Sequence, residues 1–214
     1  AVNKMWELAR LLDDNAHHRS AQFWYQRASM VHGRAQANQA RPPEYDADLV
    51  RSLFDGGNYE TVVGLAEQIN TPPPPPEQPE VVEGAEGEAV EPAPASQPAA
   101  PPFRINLPVL LTQADAFRLL DDADRAQAAV VRAKEEISER LAEGNDLSLL
   151  LQAAWFYMFY ETDPAQAFDL AQRAAEMAPA EPLARRALGL AYLMQNNTEK
   201  GRELLEPMAE FDQT

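Results

Sequence analysis

The residue types that could do chemistry are few, and their spacing argues against most of it. The chain of 214 residues has no Cys and three His. Without thiols, disulfide frameworks, thiolate zinc sites, iron–sulfur clusters and cysteine nucleophiles are excluded. His17 and His18 are adjacent, so on a helix they diverge by about 100° and do not converge on one metal. His32 stands apart. Asp13-Asp14-Asn15 and Asp121-Asp122-Ala123-Asp124 have the acid density of calcium loops, but neither carries Gly at the sixth position and Glu at the twelfth. Each instead sits where one helical pattern ends and the next needs an N-cap acid. Gly84 and Gly87 lie among Glu residues with no strand before them, so they form neither a phosphate loop nor a dinucleotide fingerprint. Asn196-Asn197-Thr198 matches a glycosylation sequon and reads more simply as a turn. No nucleophile and base can be paired, so the expectation is a non-enzyme with no metal and no cofactor.

Charge narrows the partners. The 18 Lys+Arg against 34 Asp+Glu give a formal net charge of −16. Nucleic-acid binding rests on neutralising phosphates with Lys and Arg, so no nucleic-acid partner is expected, and docking to anionic lipid is disfavoured. The longest apolar cluster, Leu147 to Tyr160, is interrupted by Ser148 and Gln152 and falls short of a membrane span. No direct membrane insertion is expected. The chain opens Ala1-Val2-Asn3-Lys4 without an apolar signal run and stops at Phe211-Asp212-Gln213-Thr214, as a processed or excised piece would. The compartment stays open between a bacterial cytoplasm and a cell envelope. Usage rich in Ala, Arg, Pro and Glu suggests a GC-rich genome.

The elements that must position any functional residue are helices. Residues 71–102 hold 11 of the 18 Pro and six Glu, with no Lys, Arg or aromatic residue. Such a segment cannot bury enough apolar area to offset chain entropy, which predicts a disordered linker or loop insertion. Its five-proline run, Pro72 to Pro76, predicts a polyproline II rod acting as a spacer. The flanks are dominated by Ala, Leu, Glu, Gln and Arg, strong helix formers. Breakers at Asp55-Gly56-Gly57-Asn58, Glu143-Gly144-Asn145-Asp146, Thr162-Asp163-Pro164 and Asn196-Asn197-Thr198 punctuate the pattern. Helices joined by short turns are antiparallel neighbours. The expected class is all-α, with two hairpins over 1–70 and three over 103–214.

A small-residue pattern repeats along those hairpins. Ala9 is followed by Ala21, Tyr25 and Ala28, and Val50 by Val62, Ala66 and Ile69. Ala114 and Phe117 precede Ala126, Val130 and Ala133, and Ala154 precedes Ala167, Ala171 and Ala174. The last hairpin reads Leu188-Gly189-Leu190-Ala191-Tyr192, then Gly201, Leu205 and Met208, and Gly201 lies 34 residues after Ala167. This period, the Leu-Gly-x-x-Tyr block and Pro179 at a helix end resemble the tetratricopeptide repeat (TPR) family, in a bacterial-type protein. Arg185 stands where that family often has Trp, and the first four hairpins lack the Gly. The spacing from Ala126 to Ala167 is 41, which predicts a longer helix or an insertion there.

The resemblance implies an antiparallel helical-hairpin solenoid with a concave surface that binds another protein. Trp155, Phe156, Tyr157, Phe159 and Tyr160 are too crowded to share one helix face. By the resemblance, Phe156, Phe159 and Tyr160 would face the concave surface, extended by Leu190, Leu193 and Met194 with Arg186 nearby. A clamp for acidic C-terminal peptides is not matched, since Arg186 is its sole candidate. Such a groove suits an amphipathic helix or an extended apolar peptide. The expected function is therefore a non-catalytic scaffold for a protein or peptide partner. The alternatives are an inner structural segment of a longer solenoid, docked on further repeats of the same chain, or a helical accessory domain of an enzyme. Phe23-Trp24-Tyr25 is a smaller aromatic group, in which Tyr25 fits the core pattern and Trp24 is the one expected at the surface.

Overall fold

The computed structural model describes residues 2–35, 42–72 and 103–209. Among them are ten helices and no strand: α1 (Val2–Asp14), α2 (His18–Ala35), α3 (Pro43–Asp55), α4 (Tyr59–Ile69), α5 (Leu107–Leu119), α6 (Ala123–Glu143), α7 (Leu147–Phe159), α8 (Pro164–Met177), α9 (Pro182–Met194) and α10 (Thr198–Ala209). They pair as five antiparallel hairpins stacked in chain order, the all-α helical-hairpin architecture expected. The proline-rich stretch expected as a linker lies outside the described residues, apart from Thr71 and Pro72.

Each hairpin turns on the same local device. One residue per turn is left-handed: Ala16 (φ 59°), Gly57 (77°), Asp121 (61°), Thr162 (50°) and Asn196 (60°). Around four of them the backbone closes identically. His17 N–H bonds to Leu12 O, Asn58 to Leu53, Asp122 to Phe117 and Asn197 to Tyr192, at 2.8–2.9 Å. This is the Schellman closure, which satisfies carbonyls left over at a helix end. The fourth turn is one residue wider, with Asp163 N–H bonded to Tyr157 O. The residue that closes the first helix then opens the second. Asp122 Oδ1 accepts from Arg125 N–H, Asp163 Oδ1 from Ala165 and Gln166, and Asn197 Oδ1 from Lys200. The acid-rich turn at 121–124 is thus occupied in part by capping.

Small residues let the paired helices cross closely. Ala9 and Ala21, Val50 and Val62, Ala114 and Ala126, Ala154 and Ala167, and Gly189 and Gly201 are all buried. At the last crossing a Cβ on Gly201 would stand 2.5 Å from Leu193 Cδ2 and 3.0 Å from Gly189 O. A methyl there would force Leu193 to move, as one on Gly189 would force Leu205.

Two apolar clusters run through the stack, and α5 belongs to both. Val109 and Ala116 pack with Trp6, Tyr25, Val50 and Val62. Leu107, Leu110 and Ala114 belong to a second cluster, which runs on through Ile137, Leu150, Phe156 and Leu170. A polar seam reinforces the join. The side chain of Asn70, 1% exposed, accepts from Asn106 N–H (2.7 Å) and donates to Asn106 O (3.4 Å). Asn106 Nδ2 donates to Pro43 O (2.8 Å), Arg132 donates to Asn70 O (2.7 Å), and Gln113 donates to Val63 O (3.3 Å). Residues 70 and 106, on either side of the proline-rich stretch, therefore lie side by side.

Candidate functional site: a groove across the first helices

The first helix of each hairpin lies on one side of the stack. There α3 packs laterally on α5, and α7 on α9, but α5 and α7 do not pack side by side. The cause is visible in the helix between them. At 21 residues α6 is the longest, against 11–18 for the other second helices. This accounts for the anomalous spacing of 41 between Ala126 and Ala167 and holds α7 away from α5. The gap is a cleft of about 460 Å³. Its floor is Leu107 and Ile137. Its walls include Phe54 of α3, Leu111 and Asp115 of α5, and Trp155 of α7, with Tyr160 at one end.

The aromatic run of α7 divides by helical phase. Trp155 and Phe159 are one turn apart and stack at 5.5 Å with planes 9° from parallel. Trp155 lines the cleft, and Phe159 is 60% exposed beside it. Phe156 is rotated about 100° from Trp155 and points inward. It is fully buried and meets Tyr157 edge-on and Tyr160 face-on. This corrects its placement on the partner-facing surface: it is core.

Tyr160 is half-buried and held in place. Its hydroxyl donates to Asp115 Oδ2 at 2.7 Å. Arg118 donates to the other oxygen of Asp115 at 2.9 Å, and its guanidinium lies 5.2 Å from the Tyr160 ring centre. Burial, then the hydrogen bond and charge of Asp115, push the phenol well above its ordinary pKa. It stays protonated across the physiological range and acts as a donor.

The remaining expected residues fall elsewhere. Leu190 and Met194 are half-buried against the core, and Arg186 is exposed. Leu193 lies against Gly201 at the crossing of α9 with α10. None of the four lines the cleft between α5 and α7. Among the cleft residues that the sequence reading left out are Phe54, Leu111, Asp115 and Trp155. One signal could have found Trp155: it lies one turn before the exposed Phe159 and so shares its face. Nothing local marks Phe54, whose place depends on how α3 meets α5.

A second, more polar cleft of about 510 Å³ lies at the turn between α6 and α7. Arg104, Arg140, Asp146 and Gln152 are among its lining, and Gln152 also borders the first cleft. Both arginines are engaged: Arg104 with Glu143, and Arg140 with Glu136 (2.6 Å) and Ile105 O.

One polar cluster has the residue types of a hydrolytic triad without its order. Asp13, Ser52 and His18 do cluster, with Asp13 Oδ1 accepting from Ser52 Oγ at 2.8 Å and lying 2.7 Å from His18 Nδ1. In a hydrolytic triad the imidazole stands between hydroxyl and carboxylate. Here the carboxylate stands between them, and the hydroxyl donates to the carboxylate and not to the imidazole. Among the described residues no group of three His, Asp or Glu is placed to hold a metal, and no helix is long and apolar enough to cross a membrane.

The stack has a counterpart among solved structures. TTC0263, a thermophilic TPR protein of Thermus thermophilus, matches with a TM-score of 0.59 at 15% identity, covering 98% of this chain and 91% of that one. The chain has the tetratricopeptide-repeat fold. Two further structures match more distantly. The putative kinesin light chain of Podosopora anserina, with nearly identical TPR-like repeats, gives 0.46 at 14% identity, covering 96% of this chain and 92% of that one. BtubC (BKLC) of P. vanneervenii gives 0.47 at 14% identity, covering 98% and 78%. The assignment rests on the first. No protein-family model matches the chain, and no curated protein matches it. The cleft lies between the first helices of the third and fourth hairpins.

Proposed function

We propose that the chain is a non-catalytic TPR scaffold whose inner groove captures an apolar segment of another protein. The observation that carries this is the opening between α5 and α7, floored by aliphatic side chains and edged by Trp155, on whose ring the exposed Phe159 stacks. Concave helical surfaces of this kind serve peptide recognition. Phe159, 60% exposed and stacked on Trp155, extends the apolar surface next to that opening. Tyr160 and Asp115 add a fixed polar end to the groove. We read residues 71–102 as an excursion from one inter-hairpin turn, since its two ends are joined by Asn70 and Asn106.

The experiment is capture from the native host with wild type and Phe159→Asp. The site is exposed, so the variant folds, as checked by circular dichroism. A partner retained by wild type and lost from the folded variant supports the groove. A partner retained equally by both overturns it. Phe156→Ala serves as the contrast: it removes a buried ring, costs about 3–5 kcal/mol, and lowers binding only by unfolding the stack.

A further inference from the structure

We infer that the outward face of α2 is a second docking surface, for a partner helix that carries carboxylates beside an apolar strip. The face is built from Arg19, Phe23, Gln26, Arg27 and Met30, which share one side of the helix opposite Ala21, Tyr25 and Ala28. Phe23 is 56% exposed and Met30 59%. Phe23 meets the half-buried Trp24 edge-on at 5.4 Å. Across its whole length α2 carries three Arg and no Asp or Glu, in a chain of net charge −16. Neither Arg19 nor Arg27 makes an ion pair among the described residues.

The repeat itself supplies the control. Counted from the turn residue, Phe23 corresponds to Gly64, Ala128, Asp169 and Glu203 in the other second helices. Met30 corresponds to Thr71, Glu135 and Glu176, and Arg19 to Glu60, Asp124, Ala165 and Glu199. Arg27 corresponds to Gln68, Arg132, Arg173 and Pro207, so an Arg there recurs in two other hairpins, and it is Phe23, Met30 and Arg19 that set α2 apart, the other hairpins carrying small or polar residues at those three places. Aromatic residues, Met and Arg with acids absent make up the composition of a buried interface centre.

The chemistry selects the occupant. Two copies of this face cannot pair, because arginines would oppose arginines. Arg19 and Arg27 are eight residues, about 12 Å, apart along the helix. A matching helix places two carboxylates at that separation and packs its apolar strip over Phe23 and Met30 by ridges into grooves.

The test uses the full chain as target for a phage-displayed single helix with its surface positions randomised. The expected result is enrichment of helices with an apolar strip and Asp or Glu about two turns apart. The affinity of an enriched helix should fall at least about tenfold in Phe23→Ser/Met30→Ser and in Arg19→Glu/Arg27→Glu. Changing its own acids to amides should have the same effect, while melting of the protein variants matches wild type. Enriched helices without an acid bias, or helices that bind those variants as tightly as wild type, overturn the inference. So does binding of wild type, but not Phe23→Ser/Met30→Ser, to vesicles of phosphatidylcholine with one-third phosphatidylglycerol, which assigns the face to a bilayer.

Discussion

Asn70 holds together two parts of the chain that are far apart in sequence, and replacing it with Ala tests whether the stack is one cooperative unit. The side chain is buried and makes two hydrogen bonds to the backbone of Asn106 at 2.7 and 3.4 Å. Each bond contributes about 1 kcal/mol net, and the Asn106 N–H is left buried without its partner, so the loss comes to about 2–3 kcal/mol. With a urea m-value of about 2 kcal/mol per molar, the unfolding midpoint falls by about 1–1.5 M. The three Trp report on both sides of the seam. Trp6 and Trp24 lie in the first hairpin and Trp155 lies in the fourth. In wild type, fluorescence should show one transition. In Asn70→Ala the midpoint moves down, and Trp155→Phe in either background shows whether the first hairpin still melts with the rest. An unchanged midpoint, or two separate transitions in wild type, refutes the claim that the seam couples the halves.

Replacing residues 73–102 by a six-residue Gly/Ser link leaves the Asn70–Asn106 bonds in place, so calorimetry should show melting unchanged or raised by about 1 kcal/mol of loop-closure entropy; a large loss would mean the segment packs on the stack. Gly201→Ala forces a methyl to within 2.5 Å of Leu193 and 3.0 Å of Gly189 O. Overpacking of about 1–3 kcal/mol exceeds the gain of about 1 kcal/mol in helix propensity, so urea midpoints should drop. Thr162→Gly relieves a β-branched residue at φ 50°, worth about 1–2 kcal/mol less the entropy of glycine, and should raise the melting point slightly. Burial raises the pKa of both Tyr25 and Tyr160, aided by Asp48 and Asp115 respectively. The unfolded chain therefore loses those protons first. Their stabilisation is complete below about pH 10 and is lost as pH rises above it, so Tyr160→Phe should flatten the alkaline fall in melting temperature.

Much of this protein was legible one helix at a time. Helix ends follow from residues that act within four or five positions. Asp122, Asp163 and Asn197 cap the next helix wherever the neighbours are, and the small residues from Ala9 to Gly201 mark the crossings because only they tolerate backbone approach. These are short-range constraints, so composition and spacing carry them. Tertiary structure decided which side of each helix was left uncovered. Four aromatics crowd α7 and a fifth caps it, and nothing in the run itself says that Phe156 is core while Trp155 lines a cleft and Phe159 is exposed. That depends on α6 being long enough to part α7 from α5. The pairing of Asn70 with Asn106 is equally invisible in the sequence. Two asparagines 36 positions apart have no periodic relation, and their bond exists only because α4 and α5 pack together.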